Sequence, residues 1–416
     1  MEFEVPVDHA RPHGDRLVVF ARGVVAPEKE HAGLPWLVFF QGGPGYPSPR
    51  PAEQSGWLKR ALRDYRVLLL DQRGTGRSTP VTYQTMARFA RSQQQADYLK
   101  FFRADAIVRD AEHIRRELLG EGGRWSVLGQ SYGGFCVTHY LSAFPGSLNE
   151  AFITGGLPPL DRPVDDVYRA TYRRVIERNR RYYERYPGDA ERAWAVVRLL
   201  GDGPVRLPGG GQFSARRFQQ LGHWFGMSDG FEQIHYVLEE AFADGAGGRE
   251  LGYPFLRHFE NLFSLETNPI YAVLHEPIYC QHAAAKWSAE RLRAEYPEFE
   301  PTADRPVFFT GEMVYPWFFE EYEYLRSLRE AAEILASYAE WPRLYDVTAL
   351  RANEVPAAAA VYYDDMYVER AYSEEAANDI RGLKVWITNE YQHNGVRADG
   401  ERVLGRLIDL VRGNVG

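Results

Sequence analysis

The sequence predicts an α/β fold whose mostly parallel sheet is interrupted by a helical cap and then resumed. Three observations carry that expectation. Short apolar runs alternate with helical patterns through the first 160 residues, strand-like runs then become scarce, and two further runs followed by a helix close the chain. Apolar runs without polar alternation belong to strands covered on both faces, as in a parallel sheet.

Leu17 to Ala21 is the first β-branched and aromatic run. Trp36 to Phe40 is continuously apolar and halts at Gln41-Gly42-Gly43-Pro44-Gly45. Tyr65 to Leu70 repeats the pattern and halts at Asp71-Gln72-Arg73-Gly74. Between Ala104 and Leu119, the positions Ile107, Ala111, Ile114 and Leu118 recur at helical spacing. Trp125 to Leu128 reads as a strand, Tyr132 to Phe144 as a helix, and Ala151 to Thr154 as the next strand.

From about Leu160 the character changes. Residues 166–200 carry Arg, Tyr and Glu at helical spacing, Pro208-Gly209-Gly210-Gly211 marks a loop, and helical stretches such as Phe231 to Ala241 continue to about residue 300. Strands return at Ala357 to Tyr363 and Lys384 to Thr388, before a helix from Gly400 to Val411. The expected division is core over 1–159, cap over 160–315, and core again over 316–416.

Composition narrows the function classes. The 416 residues carry 49 Lys+Arg against 57 Asp+Glu, a net charge of −8, with no basic patch or arm; nucleic acid is not an expected partner. An apolar fraction of 45% and an aromatic fraction of 14% suffice for a large core and exclude a mostly disordered chain. Two cysteines, Cys136 and Cys280, cannot form a disulfide framework, and their spacing suits no metal site. Met1 to Pro6 has neither the cationic nor the apolar region of a secretory signal, and no apolar run approaches the roughly 20 residues that span a bilayer. A reduced, cytoplasmic protein without a membrane partner is expected.

Chemistry concentrates at turns. Gly129-Gln130-Ser131-Tyr132-Gly133 fits G-x-S-x-G, which occurs by chance in many chains. Here a strand precedes it and a helix follows, the context in which the serine Oγ is thrust out of a sharp turn. A serine needs a base, and the base an orienting acid, in the chain order Ser, Asp or Glu, His. Of eleven histidines only His393 lies beyond the last strand, in the polar loop Asn389-Glu390-Tyr391-Gln392-His393-Asn394-Gly395. Asp364 and Asp365 follow the preceding strand, and either can serve as the acid. Gln41-Gly42-Gly43-Pro44-Gly45 can aim the Gly43 N–H at an oxyanion, with the Tyr132 N–H as second donor. Gly74-Thr75-Gly76-Arg77-Ser78-Thr79 imitates a dinucleotide fingerprint, but its third glycine position is Thr79 and no suitable helix follows. Asp71 to Ser78 reads as a structural turn supporting the active-site loops.

In this combination the motifs Gly42-Gly43-Pro44-Gly45, Asp71-Gln72-Arg73-Gly74-Thr75-Gly76-Arg77-Ser78 and Gly129-Gln130-Ser131-Tyr132-Gly133-Gly134, with the late Asp365-Met366 and His393, resemble the proline iminopeptidase (prolyl aminopeptidase) family of α/β-hydrolase serine peptidases. The length and the stretches Tyr-Tyr-Asp-Asp-Met and Asn-Glu-Tyr-Gln-His look like its larger bacterial branch. The resemblance implies the α/β-hydrolase fold and cofactor-free release of N-terminal proline from small peptides. It also selects Asp365 over Asp364, because the family's acid precedes Met or a similar residue. Cap glutamates bind the free α-amine in the family, and Glu312 and Glu276 match such positions; an apolar pocket for the proline ring would draw on Tyr132, Phe135 and Trp317. One departure is Gln41, where shorter relatives carry His. Two other readings keep the fold: an esterase or lactonase with the same triad, and a non-catalytic binding protein.

Overall fold

The computed structural model describes residues 1–246 and 248–415. Its central sheet is built from β1 (Glu2–Pro6), β2 (Arg16–Val24), β3 (Trp36–Phe40), β4 (Arg66–Leu70), β5 (Trp125–Gln130) and β6 (Leu148–Thr154). After a long insertion that carries the hairpins β7 (Val205–Arg206) with β8 (Gln212–Phe213) and β9 (Phe242–Gly245) with β10 (Gly248–Leu251), it is completed by β11 (Ala357–Tyr362) and β12 (Leu383–Thr388). The strand order is β1-β2-β4-β3-β5-β6-β11-β12. β1, β2 and β4 pair antiparallel; from β4 through β12 every pairing is parallel.

Alternate residues of each central strand serve opposite layers. Val38, Phe40, Leu68, Leu70 and Val127 pack with the helices Ala104–Leu119 and Tyr132–Ala143. Leu37, Phe39, Val67, Leu69 and Leu128 pack with Gly56–Ala61 and Gly400–Arg412, whose buried Val403, Leu404, Leu407 and Ile408 recur at helical spacing. With both faces covered, the strands need no polar alternation, which is why they stand out in the sequence. β1 does not: its buried Phe3 and Val5 alternate with exposed Glu2 and Glu4 over too few residues to register as a run.

Between β6 and β11 the chain leaves the sheet and builds the cap, led by the helices Val164–Arg185 and Asp189–Gly201. The two small hairpins add to the expected helices. Helical segments persist through Phe318–Glu321, Arg329–Ser337 and Val347–Arg351, and the sheet resumes at Ala357, where the sequence places its next strand. Buried polar side chains tie the cap together. The Asn179 side chain donates to the carbonyls of Val175 and Phe309 and accepts from the Phe309 N–H at 2.7 Å; the Gln219 side chain donates to Phe299 and Phe308 carbonyls. These bonds hold the irregular segment around Phe309, whose backbone groups no sheet or helix satisfies. Among the described residues no helix is long and apolar enough to cross a membrane.

Candidate active site

β5 delivers the chain to Ser131, which stands at φ 55° and ψ −125° immediately before the helix Tyr132–Ala143. A non-glycine residue there costs roughly 1–3 kcal/mol and persists only where its surroundings hold it. Two hydrogen bonds do so: the Ser131 N–H donates to Thr154 O at 3.0 Å, and the Gly134 N–H donates to Ser131 O at 2.7 Å. Crowding explains the flanking glycines. A Cβ on Gly129 would strike the Gly133 carbonyl, and one on Gly133 would strike the carbonyl of Phe40 at the end of β3.

His393, 262 residues along the chain, places Nε2 2.8 Å from Ser131 Oγ and Nδ1 2.8 Å from Asp365 Oδ2. Both Asp365 and His393 are buried. Asp365 is fixed in turn by N–H donors from Tyr367 and Val368 on its other oxygen. Asp364 turns away and pairs with Arg181 at 2.9 Å. Burial alone would lower the His393 pKa, but the Asp365 charge and hydrogen bond, with a further contribution from Glu312, hold it above the ordinary imidazole value.

Gly43 lines the cavity in front of Ser131 at φ +136°, and Tyr132 opens its helix, so its N–H has no intrahelical acceptor. Gly43 belongs to the loop 41–45, which borders the serine. The Asp71–Ser78 turn braces this loop. Gln72 Nε2 donates to Gln41 O at 3.0 Å, while Asp71, fully buried, accepts from the N–H groups of Ser48 and Arg77 and pairs with Arg50 at 2.5 Å.

The cavity holds about 270 Å³. Ser131 and His393 share it with Glu312, Tyr271, His223 and Tyr367. Glu312 reaches it from the segment that Asn179 and Gln219 hold; the Thr310 N–H also donates to Gln219 O at 2.8 Å. Among the described residues its one hydrogen bond comes from Tyr271 Oη at 2.9 Å, and His275 Nε2 lies 3.7 Å away. Burial favours the neutral acid, yet the neighbouring His275, with His223 and His393 behind it, keeps the carboxyl ionised, with a pKa lowered to about 2. No Lys or Arg pairs with it among the described residues. Burial pushes His223 the other way, to about 4, so that ring is neutral near pH 7.

Four side chains expected to bind substrate lie elsewhere, among them the buried ring of Tyr132, which packs on Phe135. Glu276 is buried outside this cavity and accepts the N–H groups of Ser288 and Ala289, both at 2.9 Å, at the start of the helix Ser288–Arg293; its job is to satisfy donors that a helix leaves unpaired. Burial raises its pKa to about 7, against the opposing pull of those two hydrogen bonds. Phe135 sits behind the nucleophile turn between Tyr132 and Tyr279, and Trp317 stacks on Tyr315 at 5.6 Å, leaving Phe318 to line the cavity. Conversely, the sequence reading misses Tyr271, His223 and Tyr367. Tyr271 and His275, one helical turn apart just before Glu276, are the sequence signal that points to the site, and the pattern marks their face better than it marks the glutamate beside them.

Comparison with known proteins adds an independent line. A sequence family described as alpha/beta hydrolase fold matches residues 35–198. The chain is 47% identical to a proline iminopeptidase of Aeromonas sobria, covering 99% of this chain and 95% of that one. It is 37% identical to a proline iminopeptidase of Aspergillus aculeatus, covering 98% and 92%. A probable proline iminopeptidase of Streptomyces coelicolor is 29% identical over 37% of this chain and 42% of its own.

Proposed function

The chain belongs to the proline iminopeptidase family of α/β-hydrolases, and on that premise we propose that it releases N-terminal proline from small peptides through Ser131, His393 and Asp365. His393 Nε2 removes the Ser131 proton as Oγ attacks the prolyl carbonyl. The tetrahedral oxyanion is received by the N–H groups of Gly43 and Tyr132. His393 then protonates the departing amine, and water hydrolyses the prolyl ester by the same route. Asp365 holds the imidazole in the tautomer with its proton on Nδ1 and stabilises the imidazolium once it forms.

One observation carries the substrate assignment. A largely buried carboxylate, Glu312, shares a small cavity with the serine and, among the described residues, has no side-chain cation beside it other than histidine. A buried charge needs a partner, and the ammonium of an N-terminal proline supplies one by a charge-assisted hydrogen bond. Aromatic neighbours such as Tyr271, Tyr367 and Phe263 offer apolar faces to the ring. A cytoplasmic setting belongs to the same reading and is supported by Cys136 and Cys280, both buried and unpaired.

The test compares L-proline p-nitroanilide with its N-acetyl derivative. The free amine is expected to be cleaved and the acetylated one, which has no positive charge, to be refused; Ser131→Ala should abolish turnover. Equal cleavage of the two amides would remove the aminopeptidase assignment, and undiminished turnover by Ser131→Ala would remove the nucleophile.

A further inference from the structure

A second concavity of about 460 Å³ opens beside the first. The two share Gln41, Gln130 and Arg397. Gln41 leads into the oxyanion loop, Gln130 precedes the nucleophile, and Arg397 lies four residues after His393 in the short helix Gly395–Ala398. Among the described residues the side chain of Glu312 bonds or pairs with Tyr271 and His275 and with none of the three shared residues. The second concavity therefore adjoins the first beside the nucleophile and the oxyanion loop. A peptide with its ammonium on Glu312 and its first carbonyl at Ser131 has to run out that way.

The groove is apolar along one wall and charged at its mouth. Pro49, Pro51 and Ala52 stand exposed along it, and Trp57, half-buried, is stacked on Phe39 with ring centroids 4.4 Å apart. The loop bearing the prolines is anchored from beneath: Ser48 Oγ donates to Leu70 O at 2.7 Å, and Arg50 pairs with Asp71. Arg397 is exposed and has no ion pair and no side-chain hydrogen bond among the described residues. Glu53, the one carboxylate among the described residues lining the groove, is not paired with it. An unpaired guanidinium at such a position suits a carboxylate, which it can grip with two parallel bonds.

We propose that this groove binds the residue after proline, and that Arg397 takes the C-terminal carboxylate of a dipeptide whose second side chain is apolar or aromatic and lies against Trp57 and the proline loop. One residue of extended chain covers about 3.5 Å, so the carboxylate of a Pro-X dipeptide lies close to the scissile bond, on the side where Arg397 stands. The enzyme then recognises a zwitterion, cation on Glu312 and anion on Arg397. Longer peptides have an uncharged carbonyl at that point and forgo the second contact.

The inference rests on the aminopeptidase reading, and the experiment separates the two. Rates of Pro-Phe and of Pro-Phe amide are measured with the wild-type protein, Arg397→Gln and Arg397→Glu, and expressed as the ratio of kcat/KM for free acid over amide. The wild-type ratio is expected to be 10 or more (about 1.4 kcal/mol per tenfold), to fall to about 1 in Arg397→Gln, and to drop below 1 in Arg397→Glu. A wild-type ratio near 1, or a ratio that survives Arg397→Gln, overturns the dipeptide site and leaves the aminopeptidase reading standing. Failure to cleave any proline amide removes both. A ratio within one protein does not depend on how much of a variant folds.

Discussion

Replacing Glu312 by Gln keeps the shape of the side chain and an oxygen for the Tyr271 hydroxyl, which donates at 2.9 Å, but deletes the charge. In the free protein the lowered pKa of the carboxyl means that the fold favours the ion, so the variant gives up some stability and rates are compared per folded protein. In the complex it leaves the prolyl ammonium facing a neutral amide. Removing one member of a buried, hydrogen-bonded charge pair costs about 2–5 kcal/mol. At 1.36 kcal/mol per tenfold, that is a loss of kcat/KM between roughly 30-fold and roughly 5000-fold. The assay is hydrolysis of L-proline p-nitroanilide at about pH 8, with p-nitrophenyl acetate alongside. The ester has no amine to bind, so its turnover reports only on Ser131, His393 and the oxyanion donors. Because Glu312 helps hold the His393 pKa up, the comparison belongs on the alkaline plateau, where the imidazole is neutral in both proteins. Loss on the anilide with the ester retained is the expected result. Equal loss on both would mean that Glu312 supports the architecture of the site rather than the amine, and no loss on either would leave the charge without a substrate role.

Other perturbations read other parts of the design. His393 is a base only when neutral, and its pKa is raised, so the acid limb of kcat/KM should centre above pH 6.5; Asp365→Asn should shift that limb to lower pH and cut kcat by about 10⁴. An acid limb that stays in place in Asp365→Asn would detach the aspartate from the base. Glu276 is raised from 4.5 to about 7 in the folded protein, so between those values the native state keeps a proton that the unfolded chain has released. Stability should therefore fall by about 3 kcal/mol as pH rises through that window. Denaturant midpoints of the wild type and Glu276→Gln from pH 4 to 8 check this: the two curves should converge or cross, and parallel curves would rule it out. Asn179→Ala orphans the buried N–H and C=O of Phe309 and should cost about 2–4 kcal/mol of stability. The same loosening should reach Glu312, so anilide turnover should drop more than ester turnover.

What could be read from the chain divides along the distance over which a residue finds its partners. β3, the helix Ala104–Leu119 and the nucleophile turn fall where their own patterns put them, because burial on both faces and a crowded turn impose residue types locally. β1 was hidden by its shortness and by charged residues on its outer face. The strands that resume the sheet are read at Ala357 and Lys384, close to where they lie, but residues 316–356 are apolar and helical, and nothing in that composition distinguishes packing on the cap from packing on the core. Glu276 and Glu312 show the same limit at the site. Each lies in a short motif of aromatic and apolar residues, and one caps a helix while the other faces the cavity. That difference is made by Asn179 and Gln219, which fix the segment leading to Glu312, and by the donors of Ser288 and Ala289, which claim Glu276.

The cap therefore contributes by placement more than by shape. A Ser-His-Asp arrangement on this sheet is indifferent to the leaving group and would serve an ester as readily as an amide. On the proposed reading, what narrows it is Glu312, a carboxylate in the cavity of the serine with no Lys or Arg paired to it among the described residues, and such a charge is tolerable only on a segment rigid enough to keep it from turning out to water. Phe309 and Thr310, tied by buried side-chain and backbone bonds to an α-helix and a 3-10 helix more than 90 residues earlier, meet that condition. Specificity here is built from the same bonds that stabilise the cap, so a substitution that loosens those bonds should cost selectivity before it costs hydrolysis.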